Sequence, residues 1–178
     1  MSTTKQTHHA GARRARPKAG KPHSKGVRLW DQFLQRKRPL GSLYAMTPLG
    51  RVDLVKQGVP PETLGILATD MGIPKEQLYA TLGVPRATME RKLRERRPLN
   101  QDEGERVVGI ARLVGQVDHM VRTSGDPKGF DAPRWVAAWL NRPLPALGGA
   151  RPAALMDTAE GREIVSGLVA QMQSGAYA

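Results

Sequence analysis

Glycine and proline cut the chain at short intervals from Leu49 onward, at Gly58, Pro60-Pro61, Gly72, Pro74, Gly83, Pro85 and Pro98. Glycine ends a helix by entering left-handed backbone, and proline is tolerated in a helix only at its first turn. Only short elements fit between such breaks. Their apolar residues recur at three- and four-residue spacing, as in Leu64, Leu67, Ala68 and Met71, which is the helical period. No stretch alternates apolar and polar as a strand does, so the expected fold class is all-α.

The first helix runs from Leu49 to Gln57, and Pro60-Pro61 opens a second that stops at Gly72. A third carries Leu78 and Leu82, and a fourth begins at Pro85. Asn100 reads as an N-cap with Glu103 at N3, an Asn version of the capping box. The long helix behind it carries Val107, Ile110, Val114, Val117 and Val121. That narrow stripe suits packing on the protein's own core or a dimer seam, and Gly109 and Gly115 permit close helix contact. Phe130, Trp135, Val136, Trp139 and Leu140 form a further helix face, and Pro152–Met156 a short helix. Asp157 caps the last helix with Glu160 at N3, Ile164, Val165, Leu168, Val169 and Met172 face inward, and Gly175 ends it. Three parts result: a basic, largely disordered arm over 1–42, a DNA-binding and dimerisation domain over 43–122, and a small helical domain over 123–178.

Charge separates these parts. The protein carries a net +12, yet residues 1–42 hold eleven Lys/Arg against Asp31 alone, while residues 123–178 balance five against five. A second basic cluster lies in 85–97, where Arg86, Arg91, Lys92, Arg94, Arg96 and Arg97 outweigh Glu90 and Glu95. An arm and one short helix that concentrate positive charge are the footprint of contact with a phosphate backbone. There is no cysteine, which removes disulfides and thiolate metal sites. His8, His9 and His23 lack companions for a metal, and His119 has no nucleophile or paired carboxylate. No metal, cofactor or catalytic residue is expected. No apolar run reaches the ~20 residues of a membrane span, and a cytoplasmic protein, nucleoid-associated when bound to DNA, is expected.

The sharpest local signal is Pro74–Arg97. A helix-turn-helix needs two helices joined by a turn of three or four residues, usually holding a glycine, with the second helix reaching the major groove. Lys75–Leu82, Gly83 and Pro85–Arg96 supply these parts. Met89 and Leu93 point inward. Arg86, Ala87 and Thr88, at the start of the recognition helix, are candidates for base edges, and Arg91, Arg94, Arg96 and Arg97 for phosphates. Pro85 presets φ at the N-cap but offers no capping oxygen.

Two blocks carry a family resemblance. One runs from Leu82-Gly83-Val84-Pro85-Arg86-Ala87-Thr88-Met89 to Arg97-Pro98-Leu99-Asn100, with Glu103 and Arg106. The other comprises Ala138-Trp139-Leu140, Leu147-Gly148-Gly149, Arg151-Pro152, Leu155-Met156-Asp157-Thr158, Glu160-Gly161, Val165 and Gly175-Ala176-Tyr177-Ala178. The chain resembles the Xre/ParS-type antitoxins, whose partners are RES-domain toxins, over roughly residues 44–178. The resemblance implies a type II antitoxin that blocks the cofactor pocket of an NAD-degrading toxin with its C-terminal segment, while the complex represses its own promoter. It implies a toxin-binding domain over 123–178, with Gln173, Ser174, Gly175, Ala176, Tyr177 and Ala178 as toxin-binding residues and Arg151 beside the Gly148-Gly149 turn as a further one. The implied partners are a RES-domain toxin and operator DNA, bound by a homodimer inside a toxin–antitoxin hetero-oligomer. The alternative is a helix-turn-helix regulator whose C-terminal domain only oligomerises or binds an unrelated partner.

Overall fold

The computed structural model describes Trp30 and residues 39–173. The rest of the basic arm, including Val27, Leu29, Phe33 and Leu34, and the tail Ser174–Ala178 lie outside the described residues. Among those described the fold is all-α, in the order α1 Pro39–Ala45, α2 Pro48–Lys56, α3 Glu62–Met71, α4 Lys75–Thr81, α5 Arg86–Glu95, α6 Gln101–Ser124, α7 Ala132–Leu140 and α8 Ala159–Gln173. Two 3-10 turns, Pro145–Leu147 and Pro152–Leu155, join α7 to α8.

The expected breaks fall where the residue chemistry puts them. α2 is capped by Thr47, whose hydroxyl accepts from the Gly50 amide at 3.1 Å. α3 ends at Gly72 in left-handed backbone. α6 opens with the full capping box: Asn100 Oδ1 accepts from the Glu103 amide at 2.8 Å, and Glu103 Oε2 accepts from the Asn100 amide at 2.8 Å. The cap of the last helix is one residue later than expected. Thr158 Oγ1, not Asp157, accepts from the Gly161 amide at 3.0 Å, because the preceding 3-10 turn carries the chain one residue further before it bends into the helix.

α6 is the spine. At ~1.5 Å per residue its 24 residues span about 36 Å, and α1, α2, α3, α7 and α8 all pack against it. Val107, Ile110, Val114 and Val117 are buried inside the chain's own core, so the stripe read as core or dimer seam is core. That core is one cluster running from Leu54 and Leu64 through Leu78 and Met89 to Val136, Val165 and Val169. The parts expected over 43–122 and 123–178 therefore share a single apolar interior.

The folded part also reaches into the segment read as arm. α1 begins at Pro39, and Trp30 is fully buried with its indole Nε1 donating to the Leu54 carbonyl at 3.1 Å. Gly58 donates to Val55 instead, which leaves the Leu54 carbonyl, in the last turn of α2, for the indole. Val27, Leu29, Trp30, Phe33 and Leu34 are spaced for one short amphipathic turn, and the net charge of 1–42 taken as a whole conceals that Trp30 reaches the core.

α8 lies along α6 in the same direction. Arg112 Nη2 meets Glu163 Oε1 at 2.8 Å, Ser166 Oγ donates to Gln116 Oε1 at 2.8 Å, and Gln173 Nε2 donates to Ser124 Oγ at 3.1 Å. Gly109 makes room for this pairing, since a Cβ there would stand 2.6 Å from Arg162 Cδ. Gly161 is tighter still, with a Cβ position 1.9 Å from the Leu155 carbonyl oxygen. Two substitutions in one helix should therefore move stability in opposite directions. Gly167, with no atom within 4 Å of its Cβ position, should gain ~0.5–1 kcal/mol as Gly167→Ala. Gly161→Ala should lose ~1–3 kcal/mol through backbone displacement; urea unfolding of both variants checks the pair.

Candidate DNA-facing and partner-facing surfaces

The helix-turn-helix is α4, the turn Leu82–Pro85, and α5. Leu78 on the first helix, Leu82 at its C-cap and Met89 on the second helix are fully buried, while Leu93 is half-buried. Gly83 takes φ +60°, and the Gly83 and Val84 amides donate back to Ala80 and Tyr79 at 3.1 and 2.9 Å. Gly83 has no room for a side chain, as a Cβ would lie 2.8 Å from Asp157 Cβ. The C-terminal part of the chain thus packs directly on the turn. Tyr79 stands beneath it with its hydroxyl buried and unpartnered among the described residues. Burial, then Glu90 and Glu76, pushes that phenol above its ordinary pKa, so it stays neutral.

Arg86, Ala87, Arg91, Arg94, Arg96 and Arg97 are exposed and Thr88 is half-buried. The structure gathers them along α5 and its C-terminal end. Arg86 reaches Glu76 at 3.5 Å and Arg97 reaches Glu95 at 3.1 Å, both in largely exposed pairs that stabilise little and are readily exchanged for phosphate. Pro85 provides no side-chain cap, as its chemistry dictates. Arg96 is the one non-glycine residue with positive φ among those described, at 50°, and ends the helix as a left-handed C-cap.

Lys92 is different from its neighbours. Its Nζ lies 2.8 Å from Glu103 Oε2 and donates to the Pro98 carbonyl at 3.2 Å, with the side chain only 15 % exposed. This lysine of the basic cluster is spent inside the fold. Arg106 plays a matching part at the other end of the recognition helix. Its Nη2 pairs with Asp102 Oδ2 at 2.7 Å, and its Nη1 donates to the carbonyls of Leu82 and Gly83 at 3.0 and 3.1 Å. The Asp102–Arg106 spacing of four is legible in sequence as a helical ion pair. The reach of Arg106 to a turn 23 residues earlier is not.

Next to Arg106, Arg162 donates to the Met156 carbonyl at 3.1 Å. Burial, then the nearby Arg106, presses its guanidinium below its ordinary value. These two arginines seal the seam between the helix-turn-helix and the start of α8.

Of the residues expected to bind a protein partner, the two described, Arg151 and Gln173, are not brought together. Arg151 is exposed in front of the Pro152–Leu155 turn, which abuts the first turn of α8. Gln173 is exposed at the far end of that 15-residue helix, about 20 Å along its axis. Ser174, Gly175, Ala176, Tyr177 and Ala178 continue from there, outside the described residues. Gly148 and Gly149, with φ +62° and +86° and no atom near either Cβ position, make an exposed knuckle beside Arg151.

These features define a helix-turn-helix protein with a helical extension built onto its spine. Comparison with known proteins narrows the class. Residues 50–112 match the model of the antitoxin Xre-like helix-turn-helix domain, and residues 129–175 that of the antitoxin Xre/MbcA/ParS C-terminal toxin-binding domain. The chain is 42 % identical over 137 residues, 77 % of its length and 86 % of the relative's, to a protein of Sphingobium sp. (strain YBL2) named Prs ADP-ribosylating antitoxin. It is 26 % identical over 126 residues, 71 % of its length and 80 % of the relative's, to Antitoxin Xre of Yersinia enterocolitica serotype O:8. The chain belongs to the Xre/MbcA/ParS family of type II antitoxins.

The left-handed Arg96 generates a stability prediction. Replacing it with glycine removes the steric cost of a Cβ at positive φ. Arg96→Gly should raise the unfolding free energy by about 0.5–1 kcal/mol, read by thermal or urea unfolding, whereas Arg91→Gly in the helix interior should lower it by a similar amount.

Proposed function

We propose that this antitoxin neutralises a RES-type toxin that consumes NAD, by laying its C-terminal segment into the toxin's cofactor pocket, and that it autorepresses its operon through α5. It acts by binding, without catalysis of its own. The name of the Sphingobium relative links that protein to ADP-ribosylation. ADP-ribosyl transfer and NAD hydrolysis break the same bond between ribose and nicotinamide, so either chemistry is stopped by keeping NAD out of one pocket.

The observation that carries this reading is the parallel pairing of α6 and α8. It supports a division of labour between two ends of the molecule. Arg106 holds the helix-turn-helix near the start of α6, and Gln173 meets Ser124 at its end, about 27 Å further along the axis. The end of α8 from which the tail continues is thus remote from the contacts of Arg106 with the helix-turn-helix. Gly175 lets the chain turn out of α8, Tyr177 offers a ring with a hydrogen-bonding tip, and the carboxylate of Ala178 suits a pocket built for phosphates. Arg151 and the Gly148-Gly149 knuckle, at the other end of α8, would contact the toxin's outer surface. Operator recognition by two-fold symmetry calls for a homodimer, which would join through a face other than the buried α6 stripe.

On the DNA side, Arg86, Ala87 and Thr88 would face base edges, and Arg91, Arg94, Arg96 and Arg97 phosphates. Deleting Ser174–Ala178 should abolish neutralisation in cells that co-express the toxin, while binding of the promoter duplex stays within about twofold. Growth of those cells at the normal rate would refute the role of the tail. At fixed salt, Arg86→Ala should cost ~1–3 kcal/mol on the promoter and relax its preference, and Arg94→Ala should weaken all sequences alike.

A further inference from the structure

Glu103 and Arg106 stand three residues apart in the first two turns of α6, hence on one face of it, and that face meets the helix-turn-helix at two points. At the entrance to the recognition helix, Arg106 Nη1 donates to the Leu82 and Gly83 carbonyls, while Asp102 holds the guanidinium from behind through contacts of 2.7 and 3.4 Å. Towards its exit, Glu103 Oε2 takes Lys92 Nζ at 2.8 Å, with side chains 10 % and 15 % exposed. The same carboxylate accepts from the Asn100 amide, so its position is set by the helix start as well as by the lysine. α5 has few other anchors: Met89 is its fully buried residue, and Leu93 is half-buried. A ten-residue helix with one buried side chain and an uncapped N-terminus has little of its own to fix its roll or tilt.

We infer that Glu103 and Arg106 form a two-point clamp that sets the orientation of the recognition helix, and so determine operator specificity without touching DNA. The inference rests on the DNA-binding reading above. Base readout demands that side chains at the start of α5 meet donor and acceptor patterns within hydrogen-bonding tolerance, whereas phosphate contacts tolerate small shifts. Loosening the clamp should thus reduce discrimination more than it reduces affinity for DNA as such. Geometry, not charge, is the operative property of Arg106. Its planar fork serves two carbonyls and a carboxylate at once, and a lysine ammonium cannot reproduce that arrangement. Its side chain is 21 % exposed and committed to those partners, which separates it from Arg94 and Arg97 on the surface.

The test uses the full chain with the duplex spanning its own promoter and a scrambled duplex of equal length, at one salt concentration. Four proteins are compared: wild type, Arg106→Lys, Glu103→Gln and Arg94→Ala. Glu103→Gln retains an oxygen for the Asn100 amide and loses the ion pair with Lys92. The expected result is a fall of about tenfold in promoter affinity for Arg106→Lys, and a smaller fall for Glu103→Gln. For both, binding to the scrambled duplex should stay within about threefold and toxin neutralisation should be unchanged. Arg94→Ala should lower affinity for both duplexes by the same factor. Equal losses of Arg106→Lys on the two duplexes, or parallel loss of toxin neutralisation, would overturn the clamp in favour of a general structural role. Wild-type affinities in Arg106→Lys would overturn it in favour of simple positive charge. A wild type that does not prefer its promoter would sink the DNA-binding reading itself, and the clamp with it.

Discussion

Everything in this molecule is referred to one helix. α6 supplies the apolar wall against which five other helices pack, and its first turns also supply the polar contacts that fix the helix-turn-helix. Val107, Ile110, Val114 and Val117 are buried on one side, and each fully buried side chain contributes roughly 1.5–3 kcal/mol. Glu103 and Arg106 satisfy groups that burial would otherwise leave unpaired, and in the proposed clamp the same contacts set the direction of α5. Loss of either should show in the attitude of α5 before it shows in the fold as a whole.

The shared core changes how the two family domains are understood. Sequence organisation, charge balance and the two family matches all divide the chain near residues 113–128, where α6 ends at Ser124, yet the two sides share one apolar core. Asp157 packs on the Gly83 turn, and Arg162 sits in the notch left by Gly109. The toxin-binding part is therefore built onto the DNA-binding part, and its segment at Asp157 buttresses the helix-turn-helix turn. The far end of α8 lies against the end of α6, where Gln173 meets Ser124. Both functions can then be served by a chain of this size without a flexible linker.

Much of this was legible beforehand because local chemistry decided it. Gly72, Asn100 with Glu103, and the 3,4 spacing of the α3 and α6 valines and leucines are short-range signals, and the structure follows them. Three features were hidden because their partners are distant in sequence. Trp30 finds the Leu54 carbonyl, Lys92 finds Glu103, and Arg106 finds the turn at Leu82 and Gly83; no periodicity encodes such pairs. Lys92 is instructive, since composition counts it with the arginines of the DNA-facing cluster while packing withdraws it. The Asp157 cap failed by one residue for a local reason, the 3-10 turn that competes with helix initiation. For Arg151 and Gln173, sequence placed both in one functional list, and only the axis of α8 reveals how far apart they stand.

In the proposed function, DNA and toxin are held at opposite ends of the α6–α8 pair and so can be bound together. Sedimentation velocity on a mixture of labelled promoter duplex, antitoxin and a catalytically inactive toxin tests it directly. One boundary containing all three is expected, heavier than either binary complex, with DNA affinity not diminished when the toxin is added. Displacement of the duplex by the toxin, leaving only the two binary species, would contradict it.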